Sequence, residues 1–184
     1  KSNWDFSENN HGHTRCRIWK LLHKKYFDDE DIAFISNGLR QCTDEKAKRD
    51  VLNYVLLPRY PGGGGPARSA TRQAQCKEIL IEYLNDDGCT ETWAKGWALN
   101  LLGNDYRDPD SIELYKRYIQ EYDDPDIQLI AAKALYHFGE KEIAYRVYEE
   151  VAAEGYPPGI LDLSHDVDAR EMLIRTLKYS NNPV

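Results

Sequence analysis

An all-α fold is predicted by three features of the chain. These are a complete helix–turn–helix unit at 124–155, echoes of that unit on both sides, and the lack of any convincing alternating strand. Within the unit, Ile127, Ile130, Ala131, Ala134, Leu135 and Phe138 recur at i, i+3, i+4, i+7, i+8 and i+11, which is one apolar stripe on a helix. Asp126 is placed as its N-cap, and Gly139 comes after the last apolar position, where a left-handed C-cap is wanted. A second amphipathic helix, from about 141 to 154, carries Ala144, Val147, Tyr148 and Val151 on one face. One such hairpin cannot bury its own apolar face, so stacked neighbours are expected.

Shifted back by 36 residues, Ala98, Leu99, Leu102 and Gly103 fall on Ala134, Leu135, Phe138 and Gly139. The second helices align at a shift of 33, where Leu114, Tyr115 and Tyr118 meet Val147, Tyr148 and Val151; the segment 104–109 is then the inserted loop. Downstream, Ala169, Leu173 and Leu177 mark another first helix without a mate, as a terminal cap would be. Ala98, Ala131, Ala132 and Ala134 let neighbouring helix axes approach closely.

Asp124, Pro125, Asp126, Ala131, Ala132, Ala134, Leu135 and Gly139 form a line that resembles HEAT repeats, particularly the phycobilisome-lyase-like subgroup. The spacer between the acid and the Ala pair is one residue shorter than in that pattern. The resemblance covers 90–154 well and 166–178 weakly, and a tetratricopeptide-like reading is the runner-up. It implies a right-handed α-solenoid with second helices lining a concave side, and a count along the chain gives about nine helices in four to five stacked hairpins. Such scaffolds host many functions, so the resemblance is one of fold alone.

Taken from the start, 1–13 is polar and reads as a flexible tail ahead of a single helical domain at 14–184. Helices are expected at 14–26, with Ile18, Leu21, Leu22 and Tyr26, and at 30–41, with Ile32, Ile35 and Leu39, joined by an acidic turn. Thr43 or Asp44 caps a third, with Ala47, Val51, Tyr54 and Val55 facing inward until Pro58 stops it. Gly62, Gly63, Gly64 and Gly65, set between two prolines, make 59–68 a mobile loop. Ser69 or Thr71 starts the next helix, whose stripe is Cys76, Ile79, Leu80, Tyr83 and Leu84 and which ends near Asn85.

The 184 residues carry a net charge of −7, unevenly spread: +1 over 1–104 and −8 over 105–184. An acidic half disfavours a nucleic-acid surface, whose affinity comes from Lys and Arg releasing counterions. It favours a basic protein partner, or simply solubility. No apolar run is long enough to span a membrane. The chain begins at Lys1, and a removed secretory signal is one reason to expect a periplasmic or secreted protein, with a cytoplasmic one as the alternative. Of the four cysteines, Cys16 lies ten residues before the end of the first helix and Cys42 about as far past the start of the second, so a Cys16–Cys42 bridge is reasonable. Cys76 reads as a buried thiol, too far from Cys89 for an easy bridge.

Reactive chemistry is sparse. The glycines are succeeded by Pro66 and Ala67 rather than Lys and Ser/Thr, which argues against a phosphate loop, although Arg68 and Arg72 offer a weak anion hold. His11, His13 and Cys16 lack a second ligand pair, His137 and His165 have no visible partner, and no His-Glu dipeptide of the iron-binding HEAT enzymes occurs. Asp86-Asp87, Asp123-Asp124 and Glu149-Glu150 read as solvated turns and faces, and no catalytic signature, metal or cofactor is expected. Trp93 and Trp97, at i and i+4, read as core packing. The concave side implied by the resemblance would gather Tyr145, Glu142, Glu149 and Glu113 into an acidic, Tyr-bearing groove for a basic protein partner. The resulting expectation is a non-enzymatic protein-binding module, in its sharper form an exported bacterial inhibitor or immunity-type protein. The competing reading is a HEAT-like enzyme or lyase acting through surface carboxylates or the Gly-rich loop. The sequence names no oligomeric state.

Overall fold

A computed structural model describes residues 11–42, 45–59 and 67–156. Eight α-helices succeed one another among them: α1 (His11–Leu22), α2 (Asp29–Gln41), α3 (Glu45–Asp50), α4 (Ala70–Leu84), α5 (Thr92–Asn100), α6 (Ile112–Glu121), α7 (Pro125–His137) and α8 (Lys141–Ala153). Both α3 and α5 run on into π-helical segments, Val51–Val55 and Leu101–Tyr106. The only extended pairing among the described residues is a lone antiparallel bridge between Arg59 and Ala67. The protein is all-α. It divides into two compact units, one reaching to Tyr106 and one beginning at Arg107, whose φ of 49° is the one positive value at a non-glycine described residue.

In the first unit, α2 packs on α3, its π segment and α4, and α5 packs on α4. The turn into α2 is set by the acidic run read from the sequence. Asp28 is the N-cap, accepting from the backbone N–H of Asp31, and Asp31 accepts in return from the N–H of Asp28. Two orphan amides are satisfied reciprocally. Lys24 adds an ion pair to Asp28 at 2.9 Å and a second to the buried Asp31. Gln75 of α4 clamps the same turn, since its side-chain amide both accepts from and donates to the backbone of Phe27, at 2.8 Å each way. The predicted stripe of α4 is buried in full, and each such aliphatic side chain contributes about 1.5–3 kcal/mol.

Two buried arginines complete this unit. Arg72 of α4 donates to the carbonyls of Leu21 (2.7 Å), Lys24 and Val55 (3.0 Å), with its guanidinium 4.4 Å from the centre of the Phe27 ring. Arg68 donates to the carbonyls of Leu22 (3.0 Å) and Tyr54 (2.6 Å). These carbonyls belong to the last turn of α1, the residue Lys24 just beyond it, and the end of the first π segment, where helix-end acceptors and negative dipole ends converge. The anion hold expected of Arg68 and Arg72 is therefore corrected: both cations face inward and serve as helix C-caps supplied from another part of the chain.

In the second unit, α6 packs on α7 and α7 on α8. Of the predicted stripes, Ile127, Ala131, Ala134 and Leu135 of α7 and Ala144, Val147, Tyr148 and Val151 of α8 are buried, Ile130 and Phe138 are half-buried, and the α7 side chains that cluster with the α8 stripe are Leu129, Ala132 and Tyr136. Gly139 has φ +89°, with the N–H of Glu140 bonded to the Leu135 carbonyl and that of Gly139 to the Tyr136 carbonyl. That is a Schellman motif, and Gly155 (φ +91°) ends α8 the same way through Val151 and Ala152. The N-cap expected at Asp126 is corrected to Asp124, whose carboxylate accepts from the N–H groups of Asp126 and Ile127. Pro125 explains the shift, since proline is pre-organised for the first helical position and lacks the amide that would be orphaned there.

Two further expectations are corrected. No two cysteines stand at disulfide distance, so the Cys16–Cys42 bridge is not formed. The first helix ends at Leu22 rather than Tyr26, six residues after Cys16, while Cys42 lies thirteen residues past the start of α2. At ~1.5 Å per residue the two sit roughly 9 and 20 Å from the turn and cannot face each other. Gly103, which the 36-residue shift pairs with the C-cap Gly139, lies buried inside the second π segment, so the helix continues through it to Tyr106 instead of stopping. The expected tail at 1–13 is corrected at its end, since α1 already begins at His11; residues 1–10, the caps Thr43 and Asp44, the glycines 62–65 and the helix from 166 lie outside the described residues.

Candidate functional site

A concave feature of the first unit is built by neighbouring turns of α3, its π segment and α5. Arg49, Leu52, Asn53, Trp93 and Trp97 line a cleft of about 250 Å³. Leu52 is fully buried, Trp93 is half-buried, and Trp97 stands at the surface with 46% of its area exposed. The i, i+4 spacing that suggests one core stripe does put both indoles on one side of α5. That side opens on the cleft, while Ala94, Ala98 and Leu99 are the residues that α5 buries completely. The core-packing reading of Trp97 is thus corrected, and that of Trp93 holds in part.

Arg49 lies with its guanidinium carbon 5.1 Å from the centre of the Trp93 ring, a cation–π geometry. It also pairs with Glu45, an exposed i, i+4 contact at 3.8 Å, of a kind that contributes about 0.3–0.5 kcal/mol. One residue earlier, the side chain of Lys48 is 2% exposed and pairs with Glu91, the residue at the start of α5. This bridge ties the α3 wall to the α5 wall beside the cleft.

The residues expected to form an acidic groove lie in the second unit. Glu142 is exposed and Glu149 half-buried on α8, and Glu113 of α6 is exposed and paired with Lys116 at 2.9 Å. Lys116 also reaches Glu140 at 3.6 Å. Tyr145, expected to be the aromatic anchor of that groove, is half-buried. It packs against the cluster of Leu129, Ala132, Tyr136, Ala144, Val147, Tyr148 and Val151, with its ring 6.0 Å from that of Tyr136. The α8 side chain nearest to an aromatic hot spot is therefore committed to the interior of its own unit. Its neighbour Tyr148 is more deeply buried still, and burial pushes that phenol well above the ordinary tyrosine range.

The remaining reactive groups have structural surroundings. Cys76 is buried at 3.9 Å from the Val55 carbonyl, and burial raises its thiol. Burial also raises the Cys89 thiol, with Asp86 acting in the same direction. Cys16 is the exposed one. Asp86, the first carboxylate of the Asp86-Asp87 pair, accepts from Arg40 at 2.8 Å. Desolvation lowers the His137 imidazole, and nearby Lys133 and Arg107 add to this. Among the described residues no three His, Cys, Asp or Glu side chains converge as metal ligands would, and no helix is long and apolar enough to cross a membrane. No family model, curated protein or solved structure matches this chain.

The cleft is hidden in the sequence because periodicity locates an apolar face without saying what covers it. One signal points to it. Trp93 and Trp97 stand one turn apart and so share a side of the helix.

Proposed function

We propose that this protein is a non-enzymatic protein-binding module whose principal contact is the Trp93–Trp97–Arg49 cleft. The observation that carries the reading is the composition and openness of that cleft: two indoles and a guanidinium around an apolar floor, with Trp97 46% exposed. Trp and Arg are the residues most enriched where binding energy concentrates, and they act best in a pocket that excludes water on docking. The volume of about 250 Å³ falls below the ~300–1,000 Å³ usual for small-molecule sites and suits one anchoring side chain. The serial packing of α6 on α7 and α7 on α8 supports the finer architectural reading, a HEAT-like right-handed solenoid offering its surface to a partner.

A second reading assigns the contact to the acidic face of the second unit and makes the partner basic, as an inhibitor or immunity-type protein facing a cationic cleft would require. What favours it is the charge of residues 107–156, where twelve Asp and Glu face six Lys and Arg. Exposed Glu142 and Glu150 would steer a basic partner electrostatically.

The two readings are separated by quantitative affinity capture from the native source. The baits are the wild type, Trp97→Ala, and a Glu142→Lys/Glu150→Lys double variant, each first checked for native helicity by circular dichroism. A partner held by wild type and the double variant but lost by Trp97→Ala supports the cleft. Loss with the double variant alone transfers the site to the second unit. A partner set identical across all three baits refutes both.

A further inference from the structure

The cleft has a chemical preference beyond being apolar, and we infer that it docks an aromatic side chain set in an acidic segment of the partner protein. This rests on the protein-binding reading above and adds the identity of what enters. Three observations carry it. Apart from Arg49 and the amide of Asn53, the walls are indole and leucine, which match a planar ring by stacking and dispersion. The space of about 250 Å³ holds one ring with its neighbouring atoms and no more, since an apolar cavity of ~150 Å³ already takes benzene.

The third observation is charge. Arg49 is the charged residue of the lining. Its guanidinium rests over Trp93, and its ion pair with Glu45 is an exposed 3.8 Å contact, which a better acceptor can displace at little cost. The planar guanidinium carries five N–H donors and binds carboxylates two bonds at a time. A ring entering between the indoles therefore brings its flanking carboxylates to Arg49. A Lys or Arg flank would instead meet like charge beside a low-dielectric wall. Of the cations on α3 (Lys46, Lys48 and Arg49), Lys48 is held by Glu91 and Arg49 is the one that lines the cleft, so Arg49 is the group that discriminates.

Three short blocked peptides test this on the full chain, by calorimetry and by protein tryptophan fluorescence. One has a single Phe flanked by Asp and Glu, one has the same acidic flanks around Ala, and one has Phe flanked by Lys. Indole-3-acetate is the small-molecule control. The acidic Phe peptide is expected to saturate below about 1 mM, with the other two peptides weaker by about tenfold or more. Trp97→Ala and Arg49→Glu should each lose about tenfold or more, and Trp97→Phe should retain most of the affinity by keeping a ring at the wall. Both positions are exposed, and circular dichroism checks that the variants keep their fold.

Equal binding of the acidic and basic Phe peptides, or binding unmoved by Arg49→Glu, overturns the charge assignment. Equal binding of the acidic peptide with and without Phe overturns the ring assignment. Binding of indole-3-acetate alone makes the cleft a small-molecule site and sinks the protein-binding reading with it. If no probe binds while capture of a native partner still depends on Trp97, the proposed occupant is wrong and the protein-binding reading stands.

Discussion

Replacing Arg72 with Met should be among the most damaging single changes in the chain, although the residue lies away from the proposed cleft. The side chain is fully buried, and two of its bonds, to the carbonyls of Leu21 at 2.7 Å and Val55 at 3.0 Å, lie wholly in the interior. A hydrogen bond involving a charged group contributes about 1.5–3 kcal/mol, so two lost bonds amount to about 3–6 kcal/mol. Methionine keeps much of the volume and removes the desolvation cost of the guanidinium, which returns part of that loss. The expected net destabilisation is about 3–5 kcal/mol, measured as a fall in the urea midpoint at unchanged slope. Arg72→Lys should fall between, because an ammonium on a flexible stem cannot reach carbonyls of two different helix ends at once. The deficit should not vary between about pH 5 and 9, since the guanidinium does not titrate there. A loss under about 1 kcal/mol for Arg72→Met would refute the reasoning and mean that water or a rearranged α1 terminus satisfies those carbonyls.

Three further outcomes are expected. Asp124→Ala should cost about 1 kcal/mol in chemical denaturation and Asp126→Ala almost nothing; the reverse order would restore Asp126 as the cap. The carboxyl of Asp28 is lowered first by its bond to Lys24 and then by the backbone N–H of Asp31. A depressed folded value means stability present above the unfolded value of 3.8 and lost as pH falls through the folded one. The thermal midpoint should therefore drop on acidification below about pH 3.8, and Asp28→Asn should flatten that part of the profile; an identical profile for the variant removes Asp28 from the account. Against a thiol-specific disulfide reagent, Cys16 should react rapidly and the buried Cys42, Cys76 and Cys89 only on unfolding. Cys16→Ser should abolish the fast phase, and a persisting fast phase would contradict the burial of the other three.

Features that depend on neighbours in sequence are the legible ones. The stripes of α4, α7 and α8, the Ser69 cap and the left-handed Gly139 all arise from spacing along one helix. The corrected expectations share a different cause. Arg68 and Arg72 look like surface cations beside a glycine run, but their acceptors lie 14 to 51 residues away. No local pattern announces a carbonyl that another helix leaves open. Tyr145 looks like an anchor because it sits off the main stripe of α8. A wide apolar face still reaches it, and the ring fills space beside Tyr136 and Tyr148. The Cys16–Cys42 pairing fails on a helix end four residues from where periodicity places it, and end positions are the least determined part of any helix.

The same distinction bears on why the proposed cleft falls on α3 and α5. Both helices change from α to π hydrogen bonding within a few residues of the cleft, at Val51 and at Leu101. A π segment widens the turn, rotates the faces of the residues beyond it, and is found disproportionately at functional places in helices. Such a departure persists only where surrounding contacts determine it. Here the first π segment is held by Arg68 and Arg72 on its last carbonyls, and the second by the hydroxyl of Tyr106 donating to Leu56 just beyond the first. Lys48 and Glu91 then fix the two walls to each other. The exposed Trp97 and the lightly held Arg49 thus stand on a base of buried, hydrogen-bonded polar groups. A rigid base under a few accessible side chains is the arrangement that lets a small cleft bind without losing its shape.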